Sequence, residues 1–183
     1  MNIKNQINLI SDLNIGPQQL VMLALVILKE KPAVEIELYS YNKIDSYDFV
    51  TLLGSIGLAA YTTRLNIDKA KSHVATICVS TNPADAALLK FLVEIRDTTN
   101  KMSKSFHVAY GTLMGYPLSA IEGFISDQKI SNKDLKDMDE LLVFRPSKNN
   151  FTEEIKTIDR WRKSLSINAE NILKIFDDNL IKK

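Results

Sequence analysis

Three hydrophobic patterns alternate along the chain. Leu20 to Leu28 reads LVMLALVIL, apolar on every helical face, which predicts a helix covered on most sides. Gly16-Pro17 suits its start, with proline at the first helical position, and Lys31-Pro32 its close. In AVEIELY, Val34, Ile36 and Leu38 alternate with Glu35, Glu37 and Tyr39, the period of a half-exposed strand. From Asp45 to Leu58 the spacing of Phe49, Val50, Leu53 and Ile56 returns to a helical period, with Gly54 and Gly57 loosening its end or allowing close packing. Two runs rich in β-branched residues follow, Ala59 to Ile67 and His73 to Ser80, separated by DKAKS. They predict an antiparallel hairpin with a polar tip.

Asn82 and Pro83 stand where an N-cap and a first helical turn belong, ahead of the amphipathic ADAALLKFLVEIRD. LLVFRP, Leu141 to Pro146, predicts another strand. Asn150 with Glu153 gives a capping-box-like start to a helix whose buried stripe would be Phe151, Ile155, Ile158 and Leu165. A last helix is expected from Asn168 to Leu180, with Ile172, Leu173, Ile175 and Phe176 apolar. KDLKDMDE reads as a solvated helix, because it lacks the central glycine of a calcium loop. Sparse strands and a hairpin argue against a βαβ repeat. The expectation is an α+β fold in a single domain, residues 1–183, with a small, mostly antiparallel sheet of about four strands under six or seven helices.

One stretch stands apart: AYGTLMGYPLSAIEGFI, Ala109 to Ile125, two short helical patterns bent at Gly115-Tyr116-Pro117. Gly111 permits close helix approach, Gly115 can take the left-handed conformation that ends a helix, and Pro117 can begin the next. With Gly111, Gly115 and Ile121 at their spacing, and Met114, Tyr116 and Phe124 as apolar fillers, the stretch resembles the helix-turn-helix of phage-repressor-type proteins. That resemblance implies a second helix that reads DNA. Base reading uses Arg, Lys, Asn or Gln at the start of that helix, whereas this one carries Ser119 and Glu122 and is followed by Asp127. A packed helical hairpin closing over the sheet is therefore the first expectation, and DNA binding an alternative.

Composition narrows the functional classes. With 23 basic and 22 acidic side chains the net charge is +1, so no global field gathers a polyanion, and nucleic acid is not an expected partner. The single cysteine excludes a disulfide framework, and the two histidines have no zinc-ligand spacing; no metal or cofactor is expected. The longest apolar run is about half of the ~20 residues that span a bilayer, so no membrane segment is expected. Asp12 before that run and KEKPAVE after it argue against a signal peptide, and a reducing cytoplasm is the default location.

Candidate chemistry is sparse. Arg64 and Arg145 could each present a fixed guanidinium to an anion. Asn82 lies where a strand feeds a helix N-terminus, a place suited to phosphate or carboxylate. His107 shares a helical face with Gly111 and Gly115, with Tyr110 adjacent, and could line a pocket. There is no G-x-S-x-G elbow, Cys78 and His73 fall on opposite strand faces by parity, and Trp161 within DRWRK reads as a core anchor. The leading expectation is a non-catalytic intracellular binding or accessory protein that engages a small anionic ligand or a protein partner. If the ligand is an anion, its site would draw on Arg64, Asn82, His107, Tyr110 and Arg145. The alternatives are an enzyme that uses His107 with Tyr110 or Glu122 on a small phosphorylated or nucleotide-like substrate, and a DNA-binding protein acting through the corner.

Overall fold

The computed structural model describes residues 1–42, 45–63, 73–131 and 141–180. At its centre is a three-stranded sheet of β1 (Ala33–Tyr39), β2 (Ala59–Thr62) and β3 (His73–Ser80). The order is β1-β3-β2, and both outer strands run antiparallel to β3. Strand alternation sends Val34, Ile36, Leu38, Ile77 and Val79 into one core and Ala33 and Cys78 into a second core on the opposite face.

The larger core is built on α2 (Pro17–Ile27), in which every residue from Leu20 to Ile27 is buried, as its all-round apolar pattern requires. It packs with α1 (Ile3–Ser11), α3 (Ser46–Ser55), α7 (Phe151–Asn168) and α8 (Glu170–Leu180). The smaller core joins the far face of the sheet to α4 (Pro83–Thr98) and α5 (Lys104–Leu113), and α6 (Leu118–Ile125) packs on α5. The caps read from sequence form: Gly16 precedes Pro17, and Asn82 accepts a hydrogen bond from the Ala84 amide at 3.0 Å.

Several expectations need correction. The described residues contain three strands rather than about four, and eight α-helices rather than six or seven, with a 3-10 turn at Ser40–Asn42. Leu141 to Pro146 is not a strand. Its Leu141 and Phe144 turn into the larger core, Pro146 has no N–H to give a ladder, and only a short pairing forms beside it. There Ile130 N donates to Pro146 O at 2.9 Å and Lys148 N to Gln128 O at 2.8 Å, around a bridge of Lys129 with Ser147. The N-terminal helix α1 was not anticipated, although Asn2 caps it and Ile7 and Ile10 bury at helical spacing. The helix before Lys31-Pro32 ends earlier than expected, at Ile27 with Leu28 as its cap, and Lys29 then takes a left-handed φ of 61°. The hairpin forms as expected over β2 and β3; its polar tip and KDLKDMDE lie outside the described residues.

The capping box at Asn150 and Glu153 does not form. Asn150 is not extended and makes no side-chain cap, and Glu153 instead pairs with Lys156 on the surface. Its neighbour Glu154 takes the structural role, only 1% exposed. The two carboxyl oxygens of Glu154 accept from Ser147 N and Ser147 Oγ, both at 2.7 Å, and Ser147 Oγ accepts from Asn150 N at 3.1 Å. A Cβ at Gly123 would come within 2.5 Å of Ser147 Cβ, so α6 reaches this loop only through a glycine. Phe151 and Ile155 are half-buried, and the fully buried line of α7 is Glu154, Ile158, Trp161 and Leu165.

Glu154→Ala should therefore strand a buried amide and hydroxyl and lower stability by about 1–3 kcal/mol, while Glu153→Ala changes it by less than about 1 kcal/mol. Urea unfolding of the two variants measures the difference.

Candidate functional site

The Gly-Tyr-Pro corner is the element around which a pocket forms. Ser103 caps α5 by accepting from Phe106 N at 3.1 Å. The helix ends at Met114, and Gly115 follows with a φ of 70°. Gly111 is a point of helix contact, because a Cβ there would approach Ile121 Cγ1 to 2.7 Å. The reading of these two glycines is thus correct in its physics. Their packing tilts α6 so that it forms one wall of a cavity of about 310 Å³, shared with α5, Arg96 of α4 and the Val143-Phe144-Arg145 segment.

Six aromatic side chains line this cavity: Phe106, His107, Tyr110, Tyr116, Phe124 and Phe144. Phe106 stacks on Tyr110 with ring centres 5.8 Å apart, His107 lies 5.2 Å from Phe124, and Tyr116 lies 5.7 Å from Phe144. Such offset and tilted pairs hold ring positions beyond what apolar burial alone supplies.

The polar groups at its edge differ in how fully they are engaged. Arg96 Nη1 donates to both oxygens of Glu35 at 3.1 and 3.0 Å and to the Tyr110 hydroxyl at 3.1 Å. Burial, reinforced by the Glu35 carboxylate, pushes the Tyr110 phenol well above its ordinary range, so it stays neutral. Arg145 is exposed on the rim and has neither an ion pair nor a hydrogen bond among the described residues. The His107 imidazole is half-buried against aromatic rings and has no hydrogen-bond partner among the described residues. Glu122 is exposed and does not line the cavity.

Behind Tyr116 and Phe144 lies Lys31, only 2% exposed. Its Nζ donates to Met114 O at the end of α5 and sits 4.4 Å from the Trp161 ring centre and 5.1 Å from that of Tyr116. Burial lowers its pKa to about 7. The Trp161 indole N–H beside it is buried without a hydrogen-bond partner among the described residues.

Of the five residues singled out from sequence, His107, Tyr110 and Arg145 line this one cavity. Asn82 does not; its side chain is taken up in capping α4. Arg64 lies outside the described residues. Arg96 and Lys31 went unnoticed. Lys31 carried no signal, since a lysine before proline normally faces water, and Arg96 could have been suspected only from its helical phase. Among the described residues no group of three or more His, Cys, Asp or Glu is placed to hold a metal ion, and no helix is long and apolar enough to cross a membrane. No family model, curated protein or solved structure matches this chain.

The buried amine predicts a pH dependence. The unfolded chain keeps the Lys31 proton up to about 10.5, whereas the folded protein releases it near 7, so the unfolded state binds more protons between those values. Stability should rise as pH increases through that window, by up to a few kcal/mol at ~1.4 kcal/mol per pKa unit. Lys31→Met should remove this part of the rise, as read from urea midpoints at a series of pH values across the window.

Proposed function

We propose that the chain is a binding protein for a small amphipathic anion, held with its apolar body in the aromatic cavity and its charge at Arg145. The observation that carries this reading is the pairing of an apolar, ring-lined cavity with a rim guanidinium that has no partner among the described residues. A volume of about 310 Å³ lies at the lower end of the roughly 300–1,000 Å³ typical of small-molecule sites. Few convergent polar groups in an apolar concavity are what such sites use to fix orientation. Arg96 contributes to the wall, because its Nη1 is shared between Glu35 and Tyr110 and its Nε donates to Asp97. Arg145 has none of its donors engaged among the described residues, and a guanidinium can meet a carboxylate or sulfonate through two parallel hydrogen bonds.

Acid–base catalysis at His107 has less to support it. The imidazole faces the cavity, yet no carboxylate orients it, and a base with a useful tautomer normally has such a partner. The helix-turn-helix-like corner likewise presents Leu118 and Phe124 outward, apolar groups better suited to a pocket mouth than to a phosphate backbone.

Anilinonaphthalene sulfonate, an aromatic body with one anionic group, is a suitable probe. The folded protein should enhance its fluorescence saturably, and Val143→Trp, which fills the cavity from its half-buried rim, should abolish the enhancement. Arg145→Ala should weaken the sulfonate about tenfold, the loss of one charge-assisted contact, while leaving the neutral phenylnaphthylamine unchanged. Binding indifferent to both substitutions, with circular dichroism confirming the folds, would overturn the proposal.

A further inference from the structure

The aromatic cavity has a neighbour. A second hollow of about 420 Å³ opens on the other side of Met102 and Phe106, against Leu92 and Ile95 of α4. Met102 and Phe106 line both spaces, and apart from that pair the two walls share no residue. The partition is therefore two side chains thick at most, and its members differ. Phe106 is buried at the start of α5, whereas Met102 is half-buried in the connection between α4 and α5. Methionine has three rotatable bonds and yields to neighbouring groups at little cost, so it is the movable part of the divider.

We propose that the ligand is a flexible-chain monocarboxylate, an alkanoate or a close analogue, whose head meets Arg145 and whose chain crosses the aromatic cavity, bends around Phe106 and ends in the second hollow. The inference rests on the reading of the cavity given above and adds the ligand class. A rigid fused-ring body can occupy the first space but cannot turn past Phe106, whereas a polymethylene chain rotates freely at each bond. Both spaces are chiefly apolar, so every methylene that enters leaves water, and each fully buried one strengthens binding about fourfold. Lys101, exposed at the outer edge of the second hollow, leaves that end open to solvent, so an alkyl chain that outgrows the hollow gains nothing further.

The test is displacement of anilinonaphthalene sulfonate by saturated monocarboxylates of increasing length, from hexanoate to hexadecanoate, each below its micelle concentration. Affinity should rise stepwise through the longer members. Ser105→Trp, which fills the second hollow from an exposed position and does not line the aromatic cavity, should leave the shorter acids unchanged and flatten the rise for the longer ones. A wild-type series that levels off at the same length as the Ser105→Trp series would overturn the inference. So would a dye that binds in an Arg145- and Val143-sensitive manner and is displaced by no carboxylate, which leaves the cavity reading intact. A dye that does not bind at all would instead remove the reading on which the inference rests.

Discussion

The structure turns on one buried amine. A lysine side chain ordinarily keeps its nitrogen in water, and removing it costs several kcal/mol unless a partner compensates. Lys31 is held inside by three such partners: the Met114 carbonyl at the end of α5, the face of Trp161 from α7 and the face of Tyr116 at the corner. The cation–π contacts offset the burial of the charged form by about 0.5–2 kcal/mol each, and the neutral amine can still donate to Met114. Because Lys31 sits between the exit of α2 and the first residue of β1, this cluster joins the larger core to the corner. Glu30 N and Lys31 N both donate to Leu25 O, at 2.9 and 3.2 Å, and this tight turn aims the side chain inward.

Close approach fixes the rest of the corner. A Cβ at Gly115 would lie 3.3 Å from Pro32 Cδ, so the positive φ there and the contact with the Lys31-Pro32 turn are met by the same residue. Gly111 admits Ile121, and Gly123 admits Ser147. Three glycines within thirteen positions thus bring α5, α6 and the loop before α7 closer than side chains would allow, while Glu154 anchors that loop from below. The cavity is what remains where large rings, rather than glycines, meet across the same elements. Rings stacked on one another cannot collapse to fill it without giving up their mutual contacts.

Much of the scaffold was legible because its signals are local. The all-apolar Leu20 to Ile27, the alternation of β1, the Asn82-Pro83 start of α4 and the two glycines of the corner each report a backbone constraint that acts over a few residues. The strand expected at Leu141 to Pro146 failed because a short continuous apolar run states only that side chains bury, not whether a partner strand lies within reach. The cap at Asn150 failed for a related reason: a neighbouring acid, Glu154, found a better use in Ser147, and burial of an acid is invisible before tertiary structure exists. Part of the candidate cavity was legible, in that His107, Tyr110 and Arg145 were named and do line one cavity. Their grouping with Asn82 was not supported, since sequence gave no measure of distance between the strand-to-helix junction and the corner.

On the proposed reading, the contrast between the two rim arginines is what would let an apolar cavity select. Arg96 is committed: its carboxylate partner Glu35 projects from β1 on the sheet face that α4 covers, and the Tyr110 hydroxyl completes the group. Removing that charge would leave Glu35 and Tyr110 without their shared donor, so Arg96 belongs to the wall. Arg145 follows Phe144, whose ring is anchored edge-on against Trp161 at 6.3 Å, and precedes Pro146, which limits its backbone. Both chain neighbours of Arg145 are buried, while Arg145 itself is exposed. An anion that reached Arg145 without an apolar body would gain only a screened surface contact, and an apolar body without charge would gain burial but no fixed orientation. On that reading only a molecule that carries both would draw on the two halves of the cavity together.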